Sequence, residues 1–504
     1  MRAFSFAVLS LFAVANAAVV QPRQTSFSSS PLIPASTSAA SAAASSSGSV
    51  AASTTTSSTT SASTTSTTSS STPTTTVSYV EPSASAIGYD TIGQPNGNET
   101  DSVSNARCTR QTYQVPINVT QTSYDTVKLG VEPSTNQTRI TEIFVEYLTA
   151  PQNFTQAYVN GTVDVAQTFN ISGIYCEPTN TTSNGILQLL VHGVGFDNSY
   201  WNIQSEEFDL PEANYSYAYQ AAQLGYSTFR YDRIGCGQSE IPADGYNLVQ
   251  ANTEVAILEN IAERVRNTTD IGGKSWNKTV LVGHSYGSAQ SQRLSQLRPE
   301  LIDALVLTGY STSQTGFPYL LLGGAYTQAG LVFDRFANIS KHWLVTATQY
   351  TDQVGFVYPP SVTPNTTEYV RATANPVTQG TFFSIGAIGA PAENYTGPVQ
   401  VVLGEKDFIF AFENPYSNGS DFATLAIEQL YPSAASGSIG SIIPATGHGI
   451  NFHTTAPLAY NATFSWLNST FFGNGSTTAA PGNGTGSNST ASPTARSFTP
   501  FELI

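Results

Sequence analysis

Short apolar runs alternate with amphipathic stretches between residues 186 and 443, and this alternation narrows the possible folds more than any other feature. Ile186 to Val191 (I-L-Q-L-L-V) reads as a buried strand ending at His192-Gly193. Tyr217 to Leu224 reads as a helix stopped by Gly225, a usual C-terminal stop. Ser227 to Tyr231 is a strand, and Leu248 to Val265 is a helix with Val255, Leu258, Ile261, Ala262 and Val265 at helical spacing. Strands are expected over Thr279 to Val282, Ala304 to Leu307, Val399 to Leu403 and Ser441 to Ile443. Helices are expected over Ser288 to Leu297 and Phe422 to Leu430. Strands alternating with helices specify a parallel sheet covered on both faces, with reactive groups on loops at the carboxyl ends of the strands. The expected fold class is therefore α/β, a mostly parallel central sheet flanked by helices.

A strand-rich preface precedes it. From Tyr113 to Tyr175 the chain is rich in Thr, Val, Ile and Tyr and broken by Pro, Gly and Asn, with Thr141 to Tyr147 (T-E-I-F-V-E-Y) the best single strand. Part of it is expected to form the first antiparallel strands of the sheet.

The flanks have a different texture. Met1-Arg2, an apolar run from Ala3 to Val14 and Ala15-Asn16-Ala17 are the three parts of a secretory signal, expected over 1–17. The apolar run is shorter than the roughly 20 residues that span a bilayer, so no membrane span is expected. The C-terminal residues lack the hydrophobic stretch of a GPI signal. From 18 to 104 Ser, Thr and Ala dominate, with few side chains large enough to offset the entropy of ordering. This segment reads as an O-glycosylated stalk, with possible cell-wall association, and 473–504 as a second disordered tail rich in Gly, Ser, Thr and Asn. Between them, 105–472 is expected to be one folded domain. N-x-[ST] triplets at Asn118, Asn153, Asn170, Asn214, Asn267, Asn338, Asn394 and Asn461 are candidate glycan sites on exposed loops. Glycans would supply solubility that charge does not: charged residues make up 11%, against roughly 25% in an average soluble domain. The chain is acidic, with a net charge of −15, which argues against a nucleic-acid partner.

Gly283-His284-Ser285-Tyr286-Gly287 fits G-x-S-x-G between an apolar strand and a helix. A tight strand-to-helix turn holds the serine in a strained conformation and lifts its Oγ above the sheet. Gly283 and Gly287 stand where neighbouring backbone leaves no room for a side chain. Ser285 is the expected nucleophile. His192-Gly193-Val194-Gly195 follows an early buried strand, so the N–H groups of Val194 and Tyr286 are the expected oxyanion donors. His192 is expected to hold that loop.

Five histidines are present. His284 adjoins the nucleophile and is expected to point away from it, and His342 is expected on the surface or in a lid. His448, in Thr446-Gly447-His448-Gly449, follows the last strand and is the expected base, with His453 the alternative. Asp407, in Leu403-Gly404-Glu405-Lys406-Asp407, is the expected carboxylate, with Glu405 the alternative. Ser285, Asp407 and His448 stand in the chain order expected for this topology. No metal-ligand spacing and no phosphate-cradling loop is found, so no metal or cofactor is expected.

V-H-G-V-G, Y-D-R-I-G-C-G-Q-S, G-H-S-Y-G, L-G-E-K-D and A-T-G-H-G, in order over about 185 to 467, resemble the α/β-hydrolase superfamily. The signal, stalk and sequons make the chain resemble secreted fungal members. The resemblance implies that Asp232-Arg233 and Gly235 to Ser239 form a mainly structural loop. It also implies that 311–395 is a cap insertion between the sixth and seventh strands. Aromatics there (Phe317, Tyr319, Phe333, Phe336, Trp343, Tyr350, Phe356 and Tyr358) suggest an apolar substrate cover, more than half of them forming the cap's own core. Epoxide hydrolases and haloalkane dehalogenases of the superfamily carry Asp where this chain has Ser285, and serine with histidine favours acyl transfer. Among three cysteines, a Cys108–Cys176 disulfide is favoured, tying the preface to the sheet and leaving Cys236 free; the other pairings stay open.

The reading that emerges is a secreted serine hydrolase acting on a small or polymeric carboxylic ester. An amidase, peptidase, acyltransferase or lyase with the same triad is an alternative. A non-catalytic cell-wall or surface protein on this fold is another.

Overall fold

A computed structural model describes residues 90, 92–95, 97–412, 414–417 and 419–473. The signal segment, the stalk up to residue 89 and the tail from 474 lie outside the described residues.

Eight strands form one sheet in the order β1-β2-β4-β3-β5-β6-β7-β8. They are β1 (Ala106–Tyr124), β2 (Val159–Pro178), β3 (Ile186–Val191), β4 (Ser227–Tyr231), β5 (Lys278–His284), β6 (Ala304–Thr308), β7 (Val399–Gly404) and β8 (Ile439–Ile443). β3 to β8 pair in parallel, and β2 is antiparallel to both its neighbours. The parallel strands β3 to β7 are buried almost throughout, which explains the apolar runs of β3, β5, β6 and β7; β4 is buried too but carries Ser227, Thr228 and Arg230.

Side chains alternate between two cores. Leu187, Leu189, Leu281, Leu305 and Val401 face one, beneath helices α4 (Ala251–Asn267), α5 (Tyr286–Leu297) and α6 (Phe422–Leu430). Leu190, Val280, Val282, Val306 and Val402 face the other, beneath α3 (Tyr217–Gln223) and α7 (Ala456–Phe472). Gly225, at φ 80°, ends the α3 turn as its sequence position suggests.

The preface departs from expectation at one place. Thr141 to Tyr147 is not a strand but the middle of helix α1 (Gln137–Thr149), followed by α2 (Pro151–Tyr158). Ile140, Ile143 and Phe144 share one buried face at helical spacing. Asn136 caps the first turn by accepting the N–H of Arg139, and Arg139 reaches Glu146 at 2.6 Å. Local capping and period override β-branched composition here. The two helices lie in the connection between the paired strands β1 and β2 and pack on the 311–395 insertion, Phe144 against Phe382 at 5.9 Å and Tyr147 against Phe383 at 4.6 Å.

Cys108 and Cys176 face each other across β1 and β2 and form the disulfide, and Cys236 is free and buried. Folded structure also starts earlier than residue 105: Gly97–Asp101 is a short helix, and Asp101 accepts from Arg110 Nε at 2.7 Å. The last part of the 18–104 segment therefore belongs to the fold. Arg110 also reaches Asp232 at 3.1 Å, tying β1 to the loop after β4. No helix among the described residues is long and apolar enough to cross a membrane.

Between β6 and β7 the insertion folds as short helices, among them Phe317–Gly323, Gln349–Phe356 and Gln379–Ser384, and a three-stranded sheet. Of the eight aromatics expected mostly in its core, only Phe333 and Phe336 pack within the insertion's own cluster. Trp343 is buried against the loop after β4, donating to Pro242 O at 2.7 Å, and Tyr319 and Tyr350 are exposed. All eight sequon asparagines named above are exposed, but only Asn338 and Asn394 lie on loops; the other six stand on the outer faces of helices or strands.

Candidate active site

The turn from β5 into α5 places Ser285 at φ 55° and ψ −119°, a conformation a non-glycine residue rarely adopts. Its N–H donates to Thr308 O of β6 at 2.8 Å, and Ser288 Oγ donates to the same oxygen at 2.9 Å. The flanking glycines are dictated by space. A Cβ on Gly283 would stand 2.5 Å from Ser288 Cα, and one on Gly287 2.1 Å from Val191 O. Gly193 is equally confined, since its Cβ would meet Ser285 Cβ at 2.9 Å.

Three strand ends bring their side chains together. His448, on the loop after β8, places Nε2 2.8 Å from Ser285 Oγ. Its Nδ1 is 2.8 Å from Asp407 Oδ2 on the loop after β7. Asp407 is held by its other oxygen, which accepts the N–H of Ile409 and Phe410, each at 2.8 Å. An acceptor-only carboxylate on Nδ1 puts the ring proton there and turns the Nε2 lone pair to the serine. All three residues are buried.

The other candidates have separate tasks. Glu405 accepts the N–H of Ala445 and does not reach His448's ring. His453 Nε2 accepts from Gly447 and Tyr358 N–H at 3.0 and 2.9 Å, and its Nδ1 donates to Gly449 O. It thus fastens the His448 loop to the insertion, and burial lowers its pKa to about 4. His284 turns to Thr308 Oγ1 and stacks on Tyr200, away from Ser285 Oγ. Burial holds His192 and His284 well below the usual histidine pKa, so both are neutral. His192 braces its loop, accepting Arg233 N–H at Nε2 and donating from Nδ1 to Gly193 O, each at 2.9 Å. His342 corrects an expectation: it is buried, accepts the N–H of Gly245 and packs on Tyr246. The loop after β4 covers it, and its Nε2 faces Glu132 at 3.6 Å.

A cavity of about 230 Å³ opens beside Ser285, with Val194 and Tyr286 on its wall. Tyr286 is the first residue of α5, so its N–H has no acceptor within the helix. The remaining wall is largely apolar, drawn from Ala289, Leu320, Phe382 and Ile385 together with Ile409 and Phe410. Of the eight aromatics singled out in the insertion, Phe317 and Phe356 line it. No charged side chain lines it among the described residues, and Gln314 contributes an amide. The hydroxyls of Tyr286 and Tyr310 point to partners, Glu254 and Gln292.

A model of the alpha/beta hydrolase family matches residues 188–463, more than half of the chain. The chain belongs to the alpha/beta hydrolase family. Solved structures similar to this alpha/beta hydrolase include a thermophilic esterase from Thermogutta terrifontis, 15% identical, with a TM-score of 0.38 over 60% of this chain and 95% of the other. A bromoperoxidase from Bacillus anthracis is 20% identical, with a TM-score of 0.40 over 60% of this chain and 96% of the other. No curated protein matches this hydrolase in sequence.

Sequence reasoning missed two groups of residues in this hydrolase. Ala289, Gln314, Phe382 and Phe410 line the cavity, yet nothing local marks them. Glu254 is buried behind Tyr286 and did leave a signal: it stands on the apolar stripe of α4, beside Ala251, Val255 and Leu258, where a carboxylate needs a partner.

Proposed function

We propose that the protein is a secreted serine hydrolase that cleaves a neutral, apolar carboxylic ester through an acyl-enzyme. The observation that carries this reading is the pair of 2.8 Å contacts that join Ser285 to His448 and His448 to Asp407.

Ser285 Oγ attacks the ester carbonyl carbon while its proton passes to His448 Nε2. The carbonyl π electrons move to oxygen, where the N–H groups of Val194 and Tyr286 receive the charge. Asp407 stabilises the imidazolium and keeps its orientation. Collapse breaks the carbon–oxygen bond to the alcohol, which takes the proton from His448. Water then attacks the acyl-enzyme, giving a proton to His448 Nε2, and the second collapse returns that proton to Ser285 and frees the acid.

The cavity supports the choice of substrate. An engineered apolar cavity of about 150 Å³ holds one benzene, so about 230 Å³ fits an acyl group of roughly eight or nine carbons by proportion. A carboxylate buried there would have no cationic partner. Secretion rests on the segment Met1 to Ala17, and the exposure of the eight sequon asparagines supports their glycosylation.

Initial rates on matched p-nitrophenyl esters and anilides test this function. Ester cleavage abolished in Ser285→Ala is the expected result. Full esterase activity in that variant would refute the mechanism, and faster anilide than ester cleavage would move the reading to an amidase.

A further inference from the structure

One buried ion pair stands directly behind both proposed oxyanion donors. Arg233, in the loop after β4, and Glu254, on α4, are 3% and 2% exposed, and Arg233 Nε reaches Glu254 Oε2 at 2.7 Å. The second arm of the guanidinium, Nη1, donates to Gly193 O at 2.9 Å. That carbonyl and the N–H of Val194 belong to one peptide unit. Gly193 O also accepts from His192 Nδ1 at 2.9 Å, and His192 Nε2 in turn accepts the backbone N–H of Arg233. Two donors on the carbonyl fix the plane of this peptide and draw electron density from its N–H.

The same pair holds the other donor. The Arg233 guanidinium lies over the Tyr286 ring at 4.6 Å, and Tyr286 OH donates to Glu254 Oε1 at 3.2 Å. Gln290 of α5 and Thr381 of the insertion complete the carboxylate's partners at 3.1 and 3.2 Å. A buried ion pair is weak evidence for stability, because desolvation offsets much of the attraction. What this pair supplies geometrically is the mutual placement of two peptide N–H groups from different loops.

We propose that Arg233 and Glu254 are positioning residues of the oxyanion site: Arg233 aims and polarises the Gly193–Val194 peptide, and Glu254 locks Arg233 and Tyr286 in register. This rests on the serine-hydrolase reading above. It goes further by giving the loop after β4 a part in transition-state stabilisation.

The test uses the full secreted chain and its Arg233→Lys and Tyr286→Phe variants. Three quantities are measured: kcat and KM on p-nitrophenyl octanoate, inhibition by an alkyl trifluoromethyl ketone, and inhibition by the matched secondary alcohol. The ketone adds to Ser285 and places an oxyanion in the site, whereas the alcohol only fills the cavity. Lysine keeps the charge opposite Glu254 but has no fork to reach Gly193 O. In Arg233→Lys, kcat should fall about 10- to 100-fold, somewhat less than loss of an oxyanion donor itself. Ketone inhibition should weaken by the same factor, while KM and alcohol inhibition stay within about twofold. Tyr286→Phe leaves both charges in place and should show the same pattern at about 3- to 10-fold; it decides the matter if Arg233→Lys does not fold. Unchanged kcat and ketone inhibition would overturn the proposal, and so would an equal loss of alcohol binding, which would mark a merely structural pair. A wild-type protein with Ser285 unreactive to the ketone would overturn the serine-hydrolase reading as well, which separates the two failures.

Discussion

Asp407 gives one carboxylate oxygen to His448 and the other to two backbone N–H groups, those of Ile409 and Phe410. Both oxygens are therefore committed as acceptors. In Asp407→Asn the amide oxygen keeps the two backbone N–H groups only by turning its NH₂ to the imidazole, and the histidine then loses its Nδ1–H tautomer. We expect kcat to fall on the order of 10⁴-fold with the melting temperature little changed. Steady-state kinetics beside a thermal melt check this, and a loss below about tenfold would show that Asp407 does not orient the base.

The elbow stores strain at Ser285, whose φ is 55°. Ser285→Gly should abolish ester hydrolysis and raise unfolding free energy by about 1 kcal/mol, as glycine relieves a backbone conformation that costs a side-chain-bearing residue about 1–3 kcal/mol. Urea unfolding measures it. A variant less stable than the wild type would contradict a strained elbow.

The cavity predicts a chain-length limit. Ala390 lies on its wall, and Ala390→Phe should lower kcat/KM for p-nitrophenyl octanoate at least tenfold while leaving the acetate within about twofold, since only the longer chain competes for the filled volume. A succinate half-ester should be cleaved on the order of 100-fold more slowly than the butyrate, because its carboxylate is buried unpaired. Equal rates along the series would place the acyl group outside this cavity.

His453 fixes an acid-stability window. Its folded-state pKa is lowered to about 4, below the usual histidine value of about 6.5. The unfolded chain therefore binds more protons between these values, so this residue's contribution is complete above pH 6.5 and is lost as pH falls towards 4. The stability difference between wild type and His453→Gln should shrink by about 3 kcal/mol across that window, since one proton taken up on unfolding is worth about 1.36 kcal/mol for each step of one in pH. Denaturant unfolding at half-unit steps in pH reads it, and a pH-independent difference would contradict the buried neutral ring.

How much of this was legible in the sequence follows from how local each constraint is. The elbow and most of the parallel strands declare themselves because their constraints lie within a few residues: Gly283 and Gly287 have no room for a Cβ, and strands buried on both faces are mostly apolar, as β3, β6 and β7 are. Ser285, Asp407 and His448 could be placed from strand ends alone. Thr141 to Tyr147 misled because its β-branched residues outweighed the period carried by Ile140, Ile143 and Phe144. His342 reads as surface only while Gly245 and Tyr246, far upstream in the chain, are not known to pack on it. The cavity wall was illegible for a deeper reason: Phe382 and Phe410 reach the same cavity through tertiary packing that no spacing encodes. Glu254 was half legible, a charge on a buried stripe whose partners lie far away in sequence.

Every step of the proposed reaction requires Ser285 to be an activated nucleophile. Labelling the folded protein with a fluorophosphonate probe and mapping the modified peptide by mass spectrometry tests it most directly. An activated nucleophile takes the label on Ser285 and loses it on heat denaturation and in His448→Ala. A folded protein that takes no label, or takes it on another serine, would contradict it.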